Sequence, residues 1–336
     1  MSTNGRVNVN KILIPLLKAG IAVTLVYWLI ATKKITAEPF IQLWGTPWLT
    51  VFVFVVVMVG VLINNYRWLL LLQGQKIRSD LSQTLPLTFI GLFFNLAMPG
   101  SVGGDVIKAY YIAQEQPGTK LRAATSVLMD RVVGLYAMAI IALFAVMIHT
   151  DKILGSPQLR PLAIFIIGLS VGFTVFFIIG FSDTVRTHGL TEKFLKKVPG
   201  GKLIRRFYDA VHDFRHGKRQ FIWGIVLSIL VQSLNIYGFY IISKTLHFEN
   251  ATMGALFFLI PLGLIATAIP VSPGGVGVGQ AVFLALFTWY GGMTPSLGPT
   301  LITIFQVMTA LVSLIGAVLY FMRKNHGVAP EKLEQI

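Results

Sequence analysis

Six apolar runs of about 20 residues each lie at 12–31, 48–72, 124–148, 161–181, 221–246 and 300–322, and a run of that length crosses a bilayer as a helix. Of the 336 residues, 55% are hydrophobic and only 12% charged, and the mean hydropathy is +0.73. A soluble domain carries roughly 25% charged residues, so the chain is an integral membrane protein. Its longest polar stretch, about 182–220, is too short for a separate globular domain, which takes on the order of 100 residues. Residues 1–336 are therefore expected to form a single membrane domain. The absence of cysteine excludes disulfides, Fe–S clusters and thiol catalysis. Ile12–Ala31 is too long for a signal-peptide core and no small-residue cleavage site follows it, so no signal peptide is expected.

Two further apolar regions are broken. They are the pair 84–98 and 104–114, and the pair 252–269 and 276–290. Most members are shorter than a full span and are joined by Pro and Gly, which predicts re-entrant helical hairpins rather than four more crossings. Phe93–Ala113 reads FFNLAMPGSVGGDVIKAYYIA, and Ala268–Phe287 reads AIPVSPGGVGVGQAVFLALF. Pro99, Gly100, Val102 and Gly103 match Pro273, Gly274, Val276 and Gly277 at one constant offset. Broken hydrophobic segments at corresponding places in two halves point to a transporter's substrate site. The first half is then about 1–181 with hairpin 84–114, and the second about 221–324 with hairpin 252–290.

The formal charge of +15 invites a nucleic-acid partner, but in a membrane chain Lys and Arg mark cytoplasmic loops. No nucleic-acid partner is expected. Segment 182–220 holds ten of these bases, from Arg186 to Arg219, and is assigned to the cytoplasm. Counting outward puts both termini in the cytoplasm and makes the hairpins enter from opposite faces, as an inverted repeat would. Lys33 and Lys34 fall on the outside, against the trend, and full spans in place of hairpins would leave every loop sign unchanged. The fold class is an all-α polytopic membrane protein with about six crossings and two opposed hairpins. Within Lys202–Arg219, Leu203, Phe207, Ala210, Val211 and Phe214 recur at helical spacing among bases. That predicts a surface helix resting on anionic headgroups, with a regulatory or partner-binding role as the competing reading.

The chemistry is expected at the first hairpin. A helix start offers free N–H groups and roughly half a positive charge, which suits a phosphate. Gly100, Gly103 and Gly104 let backbone approach a ligand, with Pro99 and Ser101 in the same loop. Lys108 lies one turn past Asp105 and can reach back toward it. The bland alternative is a tight turn with Asp105 as an N-cap, but ionisable groups at membrane depth usually face a cavity. Asp130 and Arg131 lie two turns inside their run, and the expected pairs are Asp105 with Arg131 and Lys108 with Asp130. Arg67 is open to snorkelling or to ligand binding; Lys18 is assigned to snorkelling. Asn64, Asn65, Asn95, Gln232, Asn235 and Gln306 are read as amides that hold helices together, with Asn95 also a candidate for the site. The second hairpin offers Ser272, Gly274, Gly275, Gly277 and Gln280 but no charge. None of the six histidines falls in an HExxH pattern, and no GxSxG elbow or Walker loop is present. No metal, cofactor or catalytic activity is expected, although Asp105, Asp130 and their bases would suit a membrane enzyme.

These residues resemble the lysylphosphatidylglycerol synthase transmembrane-region family. The matching pieces are Arg67-Trp68, Phe94-Asn95 through Pro99-Gly100-Ser101-Val102-Gly103-Gly104-Asp105 with Lys108, ATSVLMDRVVG at Ala124–Gly134, and Pro273-Gly274-Gly275-Val276-Gly277. Family members often carry arginine where this chain has Lys108; the lysine keeps the charge but lacks the bidentate phosphate grip of a guanidinium. The resemblance implies a lipid flippase. It does not carry over synthesis, because no soluble aminoacyl-transferase domain is expected within a chain ending at Ile336. The expected substrate is an anionic phospholipid or a polyprenyl-phosphate-linked lipid in the cytoplasmic membrane, moved passively or by ion coupling, with Asp105 and Asp130 as proton carriers. Competing readings are a membrane-embedded glycosyl- or aminoacyl-transferase on a lipid phosphate, and a non-catalytic membrane subunit. A homo-oligomer is compatible with all three.

Overall fold

In a computed structural model, residues 41, 45–97, 103–116, 118–183, 208–269 and 271–324 are described. The expected span 12–31, Lys18, the loop 98–102 with Pro99, Gly100 and Ser101, and residues 184–207 lie outside them. Every regular element among the described residues is helical. These are α1 (Pro47–Gly74), α2 (Leu81–Ala97), α3 (Gly103–Glu115), α4 (Lys120–Ile148), α5 (Thr150–Gly155), α6 (Leu159–Phe181), α7 (Lys218–Thr245), α8 (Met253–Thr267), α9 (Val278–Tyr290) and α10 (Leu297–Lys324), with 3-10 turns at Asp213–Gly217 and Pro273–Gly275. Five helices, α1, α4, α6, α7 and α10, are long and apolar enough to span a bilayer. Each matches an expected run to within a few residues, as α2, α3, α8 and α9 match the four broken pieces.

Local chemistry sets the boundaries. Pro47 opens α1, where its missing N–H is no loss. Asp80 begins α2, accepting from Ser82 Oγ at 2.7 Å and from the Gln83 N–H at 2.9 Å. Those two bonds hold its carboxyl below the usual range. Lys76 stops α1 at φ 59° and His247 stops α7 at φ 60°. In both, an N–H folds back five residues, Ile77 to Leu72 at 3.0 Å and Phe248 to Ser243 at 2.9 Å, closing the helix as a Schellman turn does.

That likeness extends to packing. α1 packs on α2, α2 on α3 and α3 on α4, just as α7 packs on α8, α8 on α9 and α9 on α10. Each half also lends its fourth helix to the other, since α4 packs on α8 and α10 on α2, while α1 and α7 lie together. The first helix of each short pair carries an internal proline, Pro86 in α2 and Pro261 in α8. The pairs open at opposite ends of α4. At the Lys120 end, the Arg78 N–H donates to Gln116 at 3.3 Å and Arg323 pairs with Glu115 at 2.7 Å. At the Ile148 end, Gly254 of α8 abuts His149, and Lys152 Nζ sits 3.8 Å from the centre of the Tyr290 ring.

Apolar lipid tails give helices little reason to associate by burial alone, so close backbone contact has to hold them. Gly316 lies against the Phe89 carbonyl and Gly104 against Gly91, contacts that leave no room for a Cβ. The largest apolar core joins the halves through α1, α4, α7, α8, α9 and α10. α6 is more peripheral, reaching that core through Leu159, Ala163 and Ile166 while Ile164 and Ile178 are largely exposed. One expectation needs correcting where residues 208–217 are described. Ala210, Val211 and Phe214 are buried against the protein itself, with Leu71, Phe177 and Phe221, and Gln75 Nε2 donates to the Ala210 carbonyl at 2.7 Å. That apolar face covers the base of α1, α6 and α7 rather than lipid headgroups.

Candidate functional site

The described tip residues of the two short pairs meet inside the bundle. Gly274 lies in contact with Leu96, and both line a cavity of about 460 Å³ with Leu92, Asn95, Val276 and Gln280. The opposite wall belongs to α10, through Thr303, Gln306, Ala310 and Ser313. The lining is mostly apolar, with amides at one edge. Placing cysteines at Leu96 and Val276 should therefore give efficient cross-linking with a short bis-thiol reagent on this cysteine-free chain. Leu96 with Gly292, at the far end of α9, should give none. Equal yields for the two pairs would place the tips apart.

The second loop is held by its own side chains. Gly274, Gly275 and Gly277 take φ of 57°, 71° and 82°, a region that side chains with a Cβ avoid. Gln280 Oε1 accepts from the Gly277 N–H at 2.7 Å, and its amide nitrogen donates to Thr303 at 3.0 Å and Gln306 at 2.7 Å. Gln306 in turn donates to the Gly274 carbonyl at 3.1 Å. Gln280 thus fixes the loop as well as lining the cavity. Ser272 is buried with no hydrogen-bond partner for its hydroxyl among the described residues.

A charged cluster lies beside this cavity, on the other side of α2. Asn95 links the two, since it lines the cavity and its Oδ1 accepts from the Gly104 N–H at 2.9 Å. One turn along α2, Gly91 leaves room for the stem of Lys108. Lys108 is buried, and its Nζ lies 4.0 Å from the centre of the Trp68 ring. Arg131 donates to Asp105, the expected partner. Asp130 departs from expectation: it pairs with Arg67 Nε at 2.7 Å, and Arg67 also donates to Ser228 Oγ of α7 at 2.9 Å. Lys108 makes no ion pair with Asp130 within 4 Å. Arg67 is sunk between Gly134 and Gly224, 7% exposed, so it does not snorkel.

The cluster therefore holds three bases and two acids, all carried by α1, α3 and α4. Each acid is held by an arginine, and Lys108 rests on an aromatic face, an arrangement that suits a desolvated cation. Trp68 itself donates to Ser126 Oγ at 3.4 Å. Trp68 and the α10 wall escaped the sequence reading of the site. The α10 wall was legible in principle, because Thr303, Gln306, Ala310 and Ser313 fall at steps of three and four residues.

No solved structure matches the chain. It is 22% identical over 278 residues to a UPF0104 membrane protein of Methanothermobacter thermautotrophicus, covering 76% of this chain and 80% of that protein. A UPF0104 membrane protein of Pyrococcus horikoshii is 25% identical over 253 residues, covering 69% and 74% respectively. The model of the lysylphosphatidylglycerol synthase TM region matches residues 16–316. The chain thus belongs to the family of the lysylphosphatidylglycerol synthase TM region.

Proposed function

We propose that the protein carries an anionic phospholipid or a polyprenyl-phosphate-linked lipid across the cytoplasmic membrane, with its headgroup passing between the tips of the two short helix pairs. The observation that carries this reading is the position of Lys108. It is a buried cation without an acidic partner within 4 Å, on the second turn of α3 and separated by α2 from the apolar cavity between the tips. A charge so placed is expensive in hydrocarbon and usually serves a substrate path. The α3 start would add its dipole to the phosphate, Arg131 would complete the neutralisation, and Asp105 would orient Arg131. The lipid chains would stay in the apolar cavity or the surrounding bilayer.

The matched packing of α1–α4 and α7–α10 supports reading the pairs as re-entrant hairpins of an inverted repeat. In that topology the end carrying Lys76, Arg78, Lys120, Arg122, Lys218, Arg219 and Arg323 faces the cytoplasm. Purified protein in liposomes tests the transport reading. Wild type should move a headgroup-labelled anionic lipid between leaflets, and Lys108→Gln should slow this about tenfold or more while melting within a few degrees of wild type. Unchanged transport by Lys108→Gln would remove the α3 start from the path. A new lipid species formed during the assay would make the protein an enzyme instead.

A further inference from the structure

A second cavity lies apart from the tips, on the outer seam between α1 and α7 at the basic end of the bundle. It measures about 440 Å³ and is lined by Tyr66, Leu70, Gln73, Arg219, Gln220 and Trp223, among others. Next to it the α1 C-terminus meets the α7 N-terminus, where Gly217 lies directly on the Gly74 backbone. Four of its seven lining residues, Tyr66, Leu70, Trp223 and Leu227, are apolar or aromatic, with Tyr66 46% and Trp223 50% exposed. The rest is one cation and two amides. Arg219 makes no hydrogen bond or ion pair among the described residues.

The charge at this place is unbalanced. Lys218 and Arg219 open α7, where the helix end is already positive and repels them. Its first turn holds no acidic residue, and Gly217 supplies no side-chain cap. Lys76 and Arg78 add to the same end of the bundle, where Arg122 is paired with Asp213 at 3.9 Å. An anion from outside would satisfy what the chain leaves open. Tyr and Trp favour the depth of lipid headgroups, and basic pockets between transmembrane helices recognise anionic headgroups.

We propose that the α1–α7 groove binds an anionic membrane lipid at a site separate from the path between the tips. The phosphate sits against Arg219, with Gln73 and Gln220 donating to its oxygens. The glycerol backbone lies on the Trp223 and Tyr66 rings, and one chain runs along Leu70 and Leu227. Nothing in this assignment depends on transport.

Native mass spectrometry of the full chain in detergent, titrated with phosphatidylglycerol and phosphatidylcholine, tests it. Wild type should retain phosphatidylglycerol preferentially, and Arg219→Gln should weaken that retention about fivefold, the worth of one base at a lipid surface. Binding of phosphatidylcholine, whose phosphate charge is offset by its own ammonium, should be weakened less. Lys218→Gln, one residue away and outside the groove, should have a smaller effect, and Trp223→Ala should weaken both lipids. Millimolar inorganic phosphate should not displace the bound lipid. The proposal is overturned if wild type shows no preference, if Arg219→Gln retains phosphatidylglycerol as wild type does, or if inorganic phosphate competes fully. Failure to bind any lipid here, as when another part of the chain fills the groove, overturns it too.

Discussion

Replacing Gly104 with valine is expected to abolish accumulation of folded protein, and even alanine there should lower the melting temperature sharply. A Cβ at residue 104 would run into the Gly91 carbonyl, which is backbone and cannot swing aside. α2 and α3 would have to separate, which would also pull the Gly104 N–H from Asn95 Oδ1. Overpacking in a close-packed interior costs about 1–3 kcal/mol, occasionally more. A clash with backbone belongs at the upper end, against a total stability of roughly 5–15 kcal/mol. Gly168 and Gly172 in α6 provide the contrast, because nothing lies within 4 Å of a Cβ built on either. Alanine at either should be neutral or slightly stabilising, since glycine costs about 1 kcal/mol relative to alanine inside a helix. Fluorescence-detected size exclusion of detergent extracts, with melting curves, reads both arms. Normal yield and melting for Gly104→Ala would mean that the two helices do not cross there.

Gly104 also shows what the sequence could convey. Its place after Pro99 and Gly100 marked a break between two short apolar pieces, and helices α2 and α3 lie on either side. That a glycine at 104 meets a glycine at 91 is a fact of crossing angle, and no local pattern encodes it. The long spans were legible because length and apolarity in a bilayer permit little besides a helix. The matching breaks were legible because Pro and Gly interrupt helices for reasons that do not depend on context.

Partner choice was not legible in the same way. Asp105 and Arg131 were paired correctly because α3 and α4 form an antiparallel hairpin, in which both lie about three turns from the short connection. Asp130 was given to Lys108 on the same logic, but its partner Arg67 lies 63 residues away on α1. The seat of Arg67 is cut by Gly134 and Gly224, on two other helices. A side-chain slot made by three helices has no signature in any one of them. The apolar face at Ala210, Val211 and Phe214 misled for a related reason. Amphipathic spacing reports that a face is buried, and it does not say whether lipid or protein buries it. Here the base of α1 and α7 does so.

The pair formed by Arg67 and Asp130 gives the second large effect, and it separates structural from transporting charges. Arg67 bonds Asp130 of α4 and Ser228 of α7, so it ties three helices together. Asp130→Leu would leave a buried guanidinium with only a hydroxyl for a partner, and removing one member of a buried pair costs roughly 3–5 kcal/mol. Folded yield should fall severely, and Arg67→Met should do the same by stranding Asp130. Replacing both together is different, because a buried ion pair exchanged for apolar groups of similar volume is often neutral or stabilising. Arg67→Met with Asp130→Leu should therefore recover most of the folded yield. It should also recover much of the lipid movement, since Lys108, Arg131 and the α3 start remain. Lys108→Gln gives the opposite pattern, with stable protein and little transport. Measuring yield and transport side by side for the two singles and the double decides the matter. A double variant that folds well yet moves no lipid would place Arg67 in the path itself rather than in the frame around it.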